Sequence, residues 1–162
     1  MPPDTIAFAH RMFDAARAGD TNLILSAVDA GLPPNLTNDK GQNQNQVVWF
    51  IYLNHTALSS AGNTLLMLAA YAGHTELTKG LLERGADPNR TNDLGQSIVA
   101  GAVFKMHNDI VHALMAKGAD PRAGKPNAIQ TAQMFRRSEL MEVLGARDED
   151  LVDVPTPLPG SV

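Results

Sequence analysis

The 162-residue chain is 44% apolar and 19% charged, a balance that fits one soluble globular domain and excludes wholesale disorder. It contains no cysteine, which removes disulfide frameworks, thiolate zinc sites, iron–sulfur clusters and a cysteine nucleophile. A net charge of −4 does not suit a surface that coats phosphates, and no apolar run approaches the roughly 20 residues a membrane helix needs. Neither nucleic acid nor membrane is therefore expected as a partner. Met1-Pro2-Pro3-Asp4 lacks the pattern of a secretion signal, so a cytoplasmic setting is expected.

From the N-terminus, Thr5 to Ala18, with Ile6, Phe8, Met12 and Phe13, reads as a first helix of a capping unit. A second helix should end at Asp29-Ala30-Gly31, before Leu32-Pro33-Pro34-Asn35. Residues 63–89 repeat this plan: Ala69-Ala70-Tyr71-Ala72-Gly73-His74, then Leu81-Leu82-Glu83-Arg84-Gly85-Ala86-Asp87-Pro88-Asn89. A third copy follows 33 residues later, with Ala102-Val103-Phe104-Lys105-Met106-His107 and Leu114-Met115-Ala116-Lys117-Gly118-Ala119-Asp120-Pro121-Arg122. The fourth is shortened, Thr131 to Arg136 and then Leu140 to Leu144. Leu77, Leu81 and Leu82, like Ile110 and Leu114, form an apolar stripe, while Gly31, Gly85 and Gly118 suit the left-handed residue that ends a helix.

A 33-residue unit of two short helices and a turn, with Gly-Ala-Asp after the second helix, resembles the ankyrin repeat. The resemblance covers residues 5–41 and 63–145 and implies an all-α solenoid of about four repeats, in a domain spanning 1–145. There are departures. The family's Thr-Pro-Leu-His signature reads Thr64-Leu65-Leu66-Met67 and Ser97-Ile98-Val99-Ala100, and its glycine between paired helices is Met106 in the third copy. His74 and His107 stand where the family places a histidine for a local backbone hydrogen bond. Residues 146–162, acidic and proline-rich, are expected to be disordered or loosely laid over the last helices.

Between the first two copies the spacing exceeds the period by 21 residues, about 42–62, inserted at the tip of a turn. The insert carries the chain's single Trp and the apolar run Val47-Val48-Trp49-Phe50-Ile51-Tyr52-Leu53, and no charged residue occurs between Lys40 and Glu76. Such a run demands cover. Three readings stand: it folds back on its own repeats; it mediates self-association by strand pairing or element exchange; or it is a ligand for another protein, natural or engineered. Val47, Trp49, Phe50, Ile51, Tyr52 and Leu53 are its expected contact residues. Thr56 to Ala61 also echoes Thr64 to Ala69, which allows the next helix to extend backwards.

Catalytic chemistry has little to stand on. There is no phosphate loop, dinucleotide fingerprint or nucleophile elbow, and His107 and His112, five apart, share no helix face, so no metal, cofactor or enzymatic activity is expected. The resemblance implies instead a concave face that binds another protein. Carried over, its helix positions are Arg17, Tyr71, Phe104, Lys105, Met134 and Phe135, and its turn positions Asp39, Lys40, Asp93, Leu94 and Gln96. Aromatic residues, Arg and Met are enriched at interface centres. The competing reading packs Tyr71 and Phe104 on an adjacent turn or on the insert, and a homo-oligomer built through Val47–Leu53 is the alternative function.

Overall fold

The computed structural model describes residues 3–38 and 62–151. These form helices α1 (Pro3–Ala18), α2 (Thr21–Asp29), α3 (Leu65–Ala72), α4 (Thr75–Glu83), α5 (Ile98–Phe104), α6 (Asn108–Ala116) and α7 (Ala128–Met134). Two 3₁₀ turns follow, Ser138–Leu140 and Asp148–Leu151. After α1, none of the helices exceeds nine residues, too short to hold alone in water, so packing must stabilise them. Helices α1, α3, α5 and α7 stack side by side in one layer, and α2, α4 and α6 form the second. The expected stripe lies between the layers: Leu77, Leu81, Ile110 and Leu114 are completely buried, as are Ala69, Ala70 and Ala102, whose small side chains let helices approach.

Local chemistry fixes where each inner helix starts. The N–H of Met67 donates to Thr64 Oγ1 at 3.1 Å, that of Ala100 to Ser97 Oγ at 3.3 Å, and that of Gln130 to Asn127 Oδ1 at 2.8 Å. Of the family signature, the first residue thus keeps its task as the cap, although the rest has changed. This cap also corrects the backward extension of α3: Thr64 is extended and bridged to Thr37, and Gly62 is left-handed at φ 78°. The fourth copy's second segment is reduced to the 3₁₀ turn Ser138–Leu140 and the turn after it, not a helix, although Leu140 and Leu144 remain buried.

Two side-chain devices join the repeats. The Nε2 of His74 bonds the carbonyl of Arg17 at 2.8 Å, and that of His107 the carbonyl of Tyr71 at 3.2 Å. The expected local bond is therefore an inter-repeat bond, and neither histidine caps its own helix. Each ring passes so close to the preceding glycine that a Cβ would clash, 2.5 Å from the His74 ring at Gly19 and 2.7 Å from the His107 ring at Gly73. The second device is an asparagine: Asn35 Oδ1 accepts from the N–H of Asp87 at 2.8 Å, and Asn89 Oδ1 from that of Asp120 at 2.6 Å.

Between helix pairs the chain makes fingers. Thr91 bridges Ser97 as Thr37 bridges Thr64, and the N–H of Gln96 donates to Asn92 Oδ1 as that of Asn63 donates to Asn38 Oδ1. The two stems are alike. The tip between them is Asp93-Leu94-Gly95 in one finger, whereas in the other it contains residues 39–61, which lie outside the described residues together with 152–162.

Candidate functional site: a groove between the inner helices and the fingers

Tyr71 is the penultimate residue of α3, Phe104 and Met134 are the last residues of α5 and α7 at the matching position, and Phe135 is the C-cap of α7. Because the three helices run side by side, matching positions fall in one row, and with the fingers they enclose a groove of about 240 Å3. Its floor is Met67, Tyr71, Ile98, Ala100, Phe104, Thr131, Met134 and Phe135, and its finger wall Asn63, Asn92, Leu94, Gln96, Lys125 and Pro126. The Phe104 and Phe135 rings meet edge to face, centroids 5.2 Å apart at 71°. Lys105 Nζ lies 5.0 Å from the centre of the Tyr71 ring, within cation–π range. Gly101 lies beside the ring, where a Cβ would stand 3.4 Å from Tyr71 Cδ2, at ordinary contact distance.

Among the predicted residues the groove gathers Tyr71, Leu94, Gln96, Phe104, Met134 and Phe135. Lys105 joins through the Tyr71 ring. Arg17 does not line it: its guanidinium pairs with Asp14 at 2.8 Å and its carbonyl holds His74. Asp93 sits exposed at the finger tip, against Gly62. Asp39, Lys40, Val47, Trp49, Phe50, Ile51, Tyr52 and Leu53 lie outside the described residues.

The sequence reading missed Met67, Ala100 and Thr131, each four residues before an aromatic of the row. That i, i+4 relation on one helix face was the available signal. It also missed Lys125 and Pro126. The N–H of Lys125 donates to the carbonyl of Gly95 at 3.1 Å, which draws the short fourth turn against the neighbouring finger.

Chemically the groove is an apolar floor with an amide-rich edge. Burial raises the Tyr71 hydroxyl above its ordinary pKa, so it is a neutral donor and acceptor near pH 7. Burial is also the main cause holding His107 below its ordinary value, outweighing its bond to the Tyr71 carbonyl, with smaller contributions from Lys105 and His74. Among the described residues lining the groove the charge is confined to Lys125, and no three His, Cys, Asp or Glu side chains gather where a metal needs them. No described helix is long and apolar enough to cross a membrane.

The architecture is that of an all-α repeat solenoid, and comparison with known proteins names it. Residues 12–125, more than half of the chain, match the family described as "Ankyrin repeats (3 copies)". The chain belongs to the ankyrin repeat family, whose members are generally protein–protein interaction modules and typically not enzymes. A segment of 76 residues, 47% of the chain, is 35% identical to the Pseudomonas aeruginosa protein named "Putative ankyrin repeat protein PA3287". The match spans 32% of that relative's length.

Proposed function

We propose that the chain binds another protein through the groove formed by α3, α5, α7 and the fingers, with the apolar insert as an added contact element. The observation that carries this reading is the row Tyr71, Phe104, Met134 and Phe135, set on one face by helix stacking and backed by the amides of Asn63, Asn92 and Gln96. Aromatic and Met side chains over an apolar floor are the chemistry of interface centres. Asp93, exposed at a finger tip, would form part of the polar rim. The reaction class in this proposal is binding without turnover, in a cytoplasmic setting, with no cofactor.

The test is capture from lysate by the intact chain and by Tyr71→Ala/Phe104→Ala, after thermal unfolding has verified that the variant folds. Partner binding should weaken about tenfold or more, as for aromatics truncated at an interface centre. Unchanged capture overturns the groove as the binding face. Self-association through Val47–Leu53 is the second reading, favoured by the absence of charge from residue 41 to 75 around that run. Light scattering across a hundredfold concentration range, with and without residues 42–62, separates it from binding by a monomer.

A further inference from the structure

We propose that the occupant of the groove is the chain's own segment 42–61, its apolar run Val47–Leu53 laid over the row Tyr71, Phe104 and Phe135. The inference rests on the reading of this groove as a binding surface and names what it binds. Three observations carry it.

The first is where the segment is tethered. The chain leaves the described structure at Asn38 and returns at Gly62, and these two stem ends are hydrogen-bonded to each other: the N–H of Gly62 donates to the Asn38 carbonyl at 3.3 Å and that of Asn38 to the Asn63 carbonyl at 3.0 Å. Asn63 is itself part of the groove wall. The anchor is therefore the groove's own rim, so the local concentration of the segment at the groove is in the millimolar range typical of a short tether.

The second is reach. Eight residues lie between each stem end and the apolar run, and the nine residue-to-residue steps, at about 3.3 Å each, span up to roughly 30 Å. Inner helices packed about 8–10 Å apart place α3 and α7 only about 20 Å from one another, so the run reaches every part of the floor.

The third is chemical match. The groove floor is apolar, with Lys125 the sole charged residue among the described residues that line it. The segment supplies seven consecutive apolar side chains flanked by Asn and Gln, with no charge to desolvate. The wall amides are already bonded to one another, Asn92 Nδ2 donating to Asn63 Oδ1 at 3.1 Å and to Gln96 Oε1 at 2.7 Å, so the match is carried by the apolar floor. The acidic tail is a poorer match, since Asp148, Glu149, Asp150 and Asp153 would carry charge toward an apolar floor.

The chain's single tryptophan, Trp49, lies in the run and reports the answer directly. Its emission and its quenching by iodide are measured for the intact chain, for Leu94→Glu and for Met134→Lys, at concentrations where light scattering gives the monomer mass. Leu94 is 39% exposed at a finger and Met134 half-buried, so both changes spare the core, and unchanged helical circular dichroism verifies the fold. The expected result is a blue-shifted, iodide-protected Trp49 in the intact chain that becomes solvent-like in both variants. A solvent-like Trp49 in the intact chain, or a protected one that neither variant moves, overturns the proposal. Protection that appears only as the mass rises to a dimer also overturns it, in favour of a second copy in the groove. Failure here is distinguishable from failure of the binding reading. If capture falls in Tyr71→Ala/Phe104→Ala while Trp49 ignores the groove variants, the groove binds a partner and not its own segment. If Trp49 responds while capture is unaffected, the converse holds.

Discussion

The junctions inside the solenoid differ from the one at its end. At the inner junctions a histidine ring reaches back to a carbonyl of the preceding repeat, over a glycine, and an asparagine catches the next turn's N–H. At the last junction both are replaced by arginine. Arg137 stands where the histidines stood and bonds Asn108 Oδ1 at 2.8 Å and Glu139 Oε1 at 2.6 Å. Arg122 stands where the asparagines stood, gripping the Gly145 carbonyl at 3.0 Å and both carboxylate oxygens of Asp150 at 2.9 and 2.6 Å. The glycine changes with them. Met106 occupies the same left-handed turn at φ 63°, and Arg136 at φ 53°. At this turn, glycine is required where a histidine ring lies on it, and is dispensable where the next repeat carries no such ring.

That lesson can be broken most sharply at Gly73. Gly73→Ala puts a Cβ 2.7 Å from the His107 ring in a left-handed residue, and should cost about 2 kcal/mol or more in urea unfolding. A cost no larger than that of the left-handed backbone alone would refute the ring argument. His107→Ala removes the bond to the Tyr71 carbonyl and should cost about 1 kcal/mol. Combined with Gly73→Ala it should cost less than the sum, because the clash partner is gone; strict additivity would deny the coupling. Met106→Gly relieves a left-handed side chain with no ring above it, and should stabilise by up to about 1 kcal/mol in the same assay.

A smaller effect is set by pH. His107 binds its proton more weakly folded than unfolded, so its contribution is intact above the unfolded value of about 6.5. It declines as pH falls through the lowered folded value. Between pH 7 and 5 the urea midpoint of the intact chain should therefore fall further than that of His107→Asn, which has no titrating group there. Parallel midpoints would remove His107 from the pH response. Smallest of all in global stability is Arg122→Asn, which restores the inner residue type and frees Asp150. Amide exchange over residues 146–151 should quicken while the midpoint scarcely moves.

Much of the fold was legible. The 33-residue period, the Ala-Ala pairs and the Gly-Ala-Asp turns gave the stacking of helix pairs, because no unit buries its own face and a repeated face must meet its neighbour. The fourth unit was legible as short but not as a 3₁₀ turn. Of the groove, the aromatic row was readable from position within the repeat. Arg17, read by the same rule, lies outside the lining of this groove, its guanidinium paired with Asp14 on its own helix.

The sequence by itself determined the repeat, its caps at Thr64, Ser97 and Asn127, its helix-ending glycines, and the place where the period is interrupted. These follow from contacts within a few residues or from a pattern that recurs. Only the tertiary structure decided that the histidines bond the repeat before their own, that Lys125 and Pro126 complete the groove wall, and that Met106 is tolerated in a glycine's place. Each of these depends on which side chain the next repeat brings within about 3 Å, and such distances between repeats are fixed by packing, not by spacing along the chain.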